Sequence, residues 1–187
     1  MSLDSLRELT GAPWLTSGGK GWLCGIPEVS QERDSAPFRR ELQMIVRKYD
    51  DIDWHTGGDF PADLDASHAR THIALFLEWA IRRGHESDTL RSLHPDALHS
   101  IRQGKLSGKD LLAQCCDDKL TSDDLSETGN GFAQAYYEAS CLEDYLDLSD
   151  DDLPTLYHEP YDQKKTRDIC EKLDARFHQW SKQLDHE

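Results

Sequence analysis

At 187 residues and 21.4 kDa the chain has the size of one domain with at most a small appendage. Its 21 Lys and Arg stand against 36 Asp and Glu, a formal charge of −15, which argues against nucleic acid or an anionic membrane as partner and toward a basic partner or none. No run approaches the ~18 uninterrupted apolar residues of a membrane span, and Met1 to Thr10 has neither the basic nor the apolar region of a signal peptide, so a cytoplasmic chain is expected.

Five cysteines, Cys24, Cys115, Cys116, Cys141 and Cys170, are odd in number and contain no C-x-x-C, which indicates neither a disulfide framework nor a zinc ribbon. Leu occurs 24 times against nine Val and Ile together, a balance that favours helices over strands. The expected fold is therefore all-α, a compact bundle of about six to seven helices behind an irregular N-terminal segment.

In chain order, residues 1–36 read as the appendage. Within them Ala12 to Pro27 carries two Trp-Leu pairs around a Gly-rich turn and fits a short β-hairpin or an ordered loop. From residue 37 the acidic helical domain begins. Phe38, Leu42, Ile45, Val46 and Tyr49 form one helical stripe opened by Pro37. Ala66 to Arg83 repeats the pattern with Ala69, Ile73, Phe76, Leu77, Ala80 and Ile81, and Gly84 is placed to end it. Pro95 to Gln103 and Ser107 to Cys116 predict two short helices separated by Gly104. Thr128-Gly-Asn-Gly131 is expected to interrupt any helix begun at Ser122, and a longer one follows through Phe132, Tyr136, Ala139, Leu142 and Tyr145. Ser149 to Asp152 and Pro154 stop it. Ile169, Leu173, Phe177, Trp180 and Leu184 then trace a closing helix from about Asp162. Trp79, Trp180, Tyr136, Tyr137 and Tyr145 sit at helical spacing and read as core aromatics.

The charge is uneven. Residues 117–152 hold twelve carboxylates and one base, Lys119, and so carry most of the net charge. Carboxylates held on helices make a negative potential that steers a basic protein. The residues expected to meet such a partner are Asp117, Asp118, Asp123, Asp124, Glu127, Glu143, Asp144 and Asp147. The competing reading is a solvated face that keeps the protein soluble. Calcium is disfavoured, because the segment lacks the alternating oxygen positions, central Gly and terminal Glu of an EF-hand loop.

Asp50-Asp-Ile-Asp-Trp-His-Thr-Gly-Gly-Asp-Phe-Pro61 is the most chemically dense loop. Beyond it, His68 and His72 are spaced i, i+4, which puts two imidazoles on one helix face. Asp53, His55, Asp59, His68 and His72 are therefore the candidate ligands of a metal-dependent enzyme. Against it, Ala69-Arg-Thr71 between the histidines supplies no general base. The structural reading has Asp65 or Ser67 capping the helix, His68 exposed, and His72 packed with its ring hydrogen-bonded to the loop. No cofactor and no catalytic residue are assigned.

The run Tyr49-Asp-Asp-Ile-Asp-Trp-His-Thr-Gly-Gly-Asp-Phe-Pro61 and the helix Thr71-His-Ile-Ala-Leu-Phe-Leu-Glu-Trp79 resemble a bacterial domain family of unknown function. Cys116-Asp-Asp-Lys119, the paired tyrosines Tyr136 and Tyr137, Tyr145 and the stretch Leu173 to Trp180 extend the resemblance over roughly residues 44–184. Members of this kind look like small acidic cytoplasmic proteins encoded near toxins, which implies an immunity role. The expectation is an interaction protein that occludes a basic partner, a toxin or enzyme acting in the cytosol. The alternatives are the metal-dependent enzyme and a regulatory or structural subunit; the oligomeric state is left open.

Overall fold

The computed structural model describes residues 46–184. The described residues belong to one compact unit. The expected boundary at residue 36, the hairpin or loop at 12–27 and the start of the helix at Pro37 lie outside the described residues. Where that helical stripe was expected to end, the chain is instead extended: β1, Lys48–Asp51, pairs antiparallel with β2, Lys119–Thr121. Tyr49 is thus a strand residue. Its hydroxyl donates to Asn130 Oδ1 at 2.8 Å, and that long-range partner outweighs the local helical spacing.

A register shift between Lys48 and Asp50 bulges β1. Tyr49, Asp50 and Asp51 are consequently all buried, where strict alternation would turn one of them outward. Asp51 then caps α1, Ile52–His55, accepting from the Asp53 amide at 3.1 Å.

The centre of the molecule is α2, Thr71–Arg83, buried from Thr71 to Ile81. The helix expected from residue 66 begins with a tighter 3₁₀ turn, Ala66–Arg70, capped by Asp65 as the sequence suggested. Gly84, at φ 79°, ends α2 in the left-handed conformation that a glycine adopts without penalty. α3, Asp88–Leu93, had no counterpart in the sequence reading, whereas α4, Pro95–Arg102, and α5, Gly108–Cys115, match the two short helices. α2 packs against α4, α5 and the long closing helix α8, Gln163–Leu184. Trp79, Phe76 and Phe132 are the largest side chains wholly inside. Burial of such aromatics contributes roughly 3 kcal/mol or more each relative to truncation.

The glycines of Thr128 to Gly131 do not interrupt a helix. They lie inside α6, Glu127–Tyr136, which Ser126 caps. A Cβ on Gly129 would sit 2.8 Å from the His85 carbonyl oxygen, and one on Gly131 would meet Trp180 at 3.1 Å. Close packing, not chain reversal, is what these glycines provide. The helix widens into a π turn over Tyr137–Cys141 before α7, Leu142–Asp147. The overall class is the all-α bundle expected, with one small two-stranded sheet added among the described residues. None of its described helices is long and apolar enough to cross a membrane.

Candidate functional site

Three chain segments meet around the carboxylate of Asp50. β1 delivers Asp50 itself, α1 delivers His55, and the first turn of α2 delivers His72. His55 Nε2 donates to Asp50 Oδ1 at 2.7 Å, and His72 Nε2 lies 3.3 Å from Oδ2. The Tyr137 hydroxyl donates to Oδ2 at 2.7 Å and the Asp51 amide to Oδ1 at 2.8 Å. The two imidazoles stand edge to face with ring centroids 4.5 Å apart. On the outer side, the Tyr157 hydroxyl is 3.3 Å from His55 Nδ1, and Phe60 packs on the Tyr157 ring.

Burial opposes ionisation of Asp50, but the hydrogen bonds from His55 and His72 outweigh it and hold its carboxyl well below the usual range. Burial is also the main influence on His72, and it lowers the pKa despite the neighbouring carboxylate. A buried Asp50 anion beside a neutral His72 and a neutral Tyr137 is the resulting state near pH 7. His72 Nδ1 is buried and has no hydrogen-bond partner among the described residues. Burial pushes the Tyr137 phenol far above its ordinary value, and the Asp50 charge adds to the effect, so this hydroxyl remains a donor.

Of the five ligands expected from the sequence, the structure brings together only His55 and His72. Asp53 and Asp59 are exposed and outside the group, while His68 Nδ1 donates to the Tyr157 carbonyl at 3.0 Å. The i, i+4 argument fails because His68 belongs to the 3₁₀ turn and not to α2, which changes its direction relative to His72. Of the bonds expected from the His72 ring nitrogens to the loop, only Nε2 has a partner there, Asp50 at 3.3 Å, while Nδ1 has none among the described residues. Asp50 and Tyr137 were missed as members of one site. The available signals were the position of Asp50 in the dense loop and the pairing of Tyr136 with Tyr137.

The acidic residues divide into two groups. Asp124 is buried, and its Oδ2 accepts from the amide and hydroxyl of Thr121, both at 2.7 Å. Asp144 is buried under Arg176, whose Nε and Nη2 each donate at 2.7 Å, with the Tyr136 hydroxyl at 2.8 Å. Their expected place on a partner surface is corrected to internal ties: both carboxylates face hydrogen-bond donors within the fold. Asp118 is half-buried and gripped by Arg70 at 2.5 and 2.7 Å. It follows Asp117, and both have positive φ, a conformation that Asp tolerates better than most residues.

Asp117, Asp123, Glu127, Glu143 and Asp147 are exposed, as are Asp150, Asp151 and Asp152. Asp117 pairs with Lys119, while the other seven have no ion pair among the described residues. Beside them α7 and Leu148, which caps its end, present apolar side chains to solvent: Leu142 is 44% exposed, Leu146 45% and Leu148 37%.

A family model matches residues 48–159, well over half of the chain. The chain belongs to the family described as Domain of unknown function (DUF7832). The match holds Asp50, His55, His72, Tyr137 and Tyr157 together with the whole acidic segment. It stops before α8, so it is narrower than the resemblance read from residues 44–184. No curated protein and no solved structure matches the chain.

Proposed function

We propose that the protein is an immunity-type inhibitor of the cytoplasm, which binds and occludes a basic toxin or other basic enzyme. The observation that supports this reading is the outward face of α7. Leu142, Leu146 and Leu148 are exposed within seven residues, and exposed Glu143, Asp147 and Asp150 to Asp152 lie among and after them. Apolar anchors rimmed by one sign of charge are the make-up of a protein interface, with the leucines supplying desolvation on contact and the carboxylates the encounter rate. Asp144 serves the same surface indirectly by tying α7 to Arg176 of α8 from inside.

The experiment is affinity capture from bacterial cytosol at low salt, with the intact protein beside Leu142→Ser/Leu146→Ser and Glu143→Lys/Asp147→Lys. A basic protein is expected on the wild type, lost from both variants and released as salt rises and screens the charges. Co-expression with the wild type then relieves the growth defect which that protein causes. Equal retention by all three forms, or capture of no basic protein, overturns the reading.

A further inference from the structure

We propose that Asp50, His55 and His72 form a binding site for one divalent transition ion of the zinc class. One ligand atom from each of the three residues lies within 4.8 Å of the others. The nitrogen to oxygen separations are 2.7 Å for His55 and 3.3 Å for His72. The ligands of a four- to six-coordinate ion with bonds of ~2.1 Å lie about 3.0–3.4 Å apart, so the ion enters with small shifts of the imidazoles. Two imidazoles and one carboxylate select a first-row transition ion over Mg²⁺ or Ca²⁺, which prefer oxygen alone.

The surroundings suit that exchange. Each imidazole now faces the carboxylate with an Nε2 proton, and metal binding replaces that proton with the nitrogen lone pair. A neutral ring does this by changing tautomer, the Nε2 proton leaving to solvent and one returning at Nδ1, so that no net proton is released. For His55 the Tyr157 oxygen at 3.3 Å is placed to accept it. For His72 no described group at Nδ1 fixes the tautomer, so the group facing Nε2 decides it. Tyr137 and the Asp51 amide hold the carboxylate in place, the outer support that a ligating carboxylate needs. His55 is the partly exposed ligand, with a side chain 21% accessible, and marks the entry side. Three protein ligands leave coordination positions open for water or a partner's side chain.

The test titrates chelator-stripped full-length protein with Zn²⁺ alone by calorimetry, and with Co²⁺ alone by visible absorption. One Zn²⁺ per chain is expected, with Co²⁺ giving a ligand-field band. His55→Ala, the change least demanding of the core, lowers Zn²⁺ affinity at least about tenfold and removes the band. His68→Ala alters neither, since His68 is engaged by the Tyr157 carbonyl. Glu143→Lys/Asp147→Lys also alters neither, which separates this site from the acidic surface. Failure of the wild type to take up stoichiometric Zn²⁺, or uptake and spectrum unchanged in a folded His55→Ala protein, overturns the proposal.

Discussion

Tyr137 reaches across 87 positions of sequence to donate its hydroxyl to Asp50 at 2.7 Å, while its neighbour Tyr136 donates to Asp144 at 2.8 Å. Two consecutive phenols at the start of one π turn thereby anchor two buried carboxylates, one in the strand and one in α7. The first ties β1 to the helical layer, and the second holds α7 in a network shared with α8 through Arg176. The His/Asp cluster and the acidic face are therefore linked through adjacent residues of a single chain segment.

Replacing Tyr137 by Phe removes one of the donors to Asp50 and keeps the ring. The expected loss is about 1.5–3 kcal/mol, the range for hydrogen bonds to charged groups. Urea unfolding followed by tryptophan fluorescence measures it, and a loss under ~0.5 kcal/mol would show that the bond contributes little.

Stability should fall with acid through Asp144. Arg176 is the main cause that holds its carboxyl at about 2, below the ordinary ~3.9 of an unfolded Asp. The folded state thus binds this proton less readily than the unfolded state. Its contribution is complete above about pH 4 and disappears as pH falls through about 2, amounting to roughly 2 kcal/mol. Asp144→Asn should flatten the stability profile across that window, as read from urea midpoints at a series of pH values.

Gly108 opens α5 where it crosses α2. A Cβ there would meet the Tyr161 hydroxyl at 2.7 Å and Glu78 Cβ at 2.9 Å, and it would also crowd the Ala74 carbonyl. The Gly108 amide donates to Glu78 Oε2 at 2.8 Å. Gly108→Ala should lose about 1–3 kcal/mol from overpacking, despite the ~1 kcal/mol that alanine ordinarily adds in a helix. Thermal unfolding beside the wild type gives the sign directly.

The leucines of α7 make the opposite prediction. Leu142→Ser/Leu146→Ser should leave urea stability within about 0.5 kcal/mol per site, because both side chains are already in water to a large degree. A large destabilisation would assign them to the core and remove the apolar part of the proposed interface.

Sequence periodicity marked α2, α4, α5 and α8 because each shows one apolar stripe and a local stop or start signal: Gly84 after α2, Pro95 opening α4, Ser107 capping α5. It misread three places where a distant partner decides. Tyr49 is held extended by β2 and Asn130, the α6 glycines are selected by His85 and Trp180, and His68 turns to the Tyr157 carbonyl.

The same division runs through the candidate sites. Composition alone determined that the chain is acidic, helical and rich in carboxylates between residues 117 and 152. Which of those carboxylates face water was decided by the tertiary structure, since charge is a property of residue type while exposure depends on what packs above it. Arg176 covers Asp144 from a helix that lies 32 residues later, and Thr121 closes over Asp124. The Asp50, His55 and His72 group likewise exists only once a bulged strand, one helical turn and the start of α2 converge, because no local spacing encodes the distances between three separate elements.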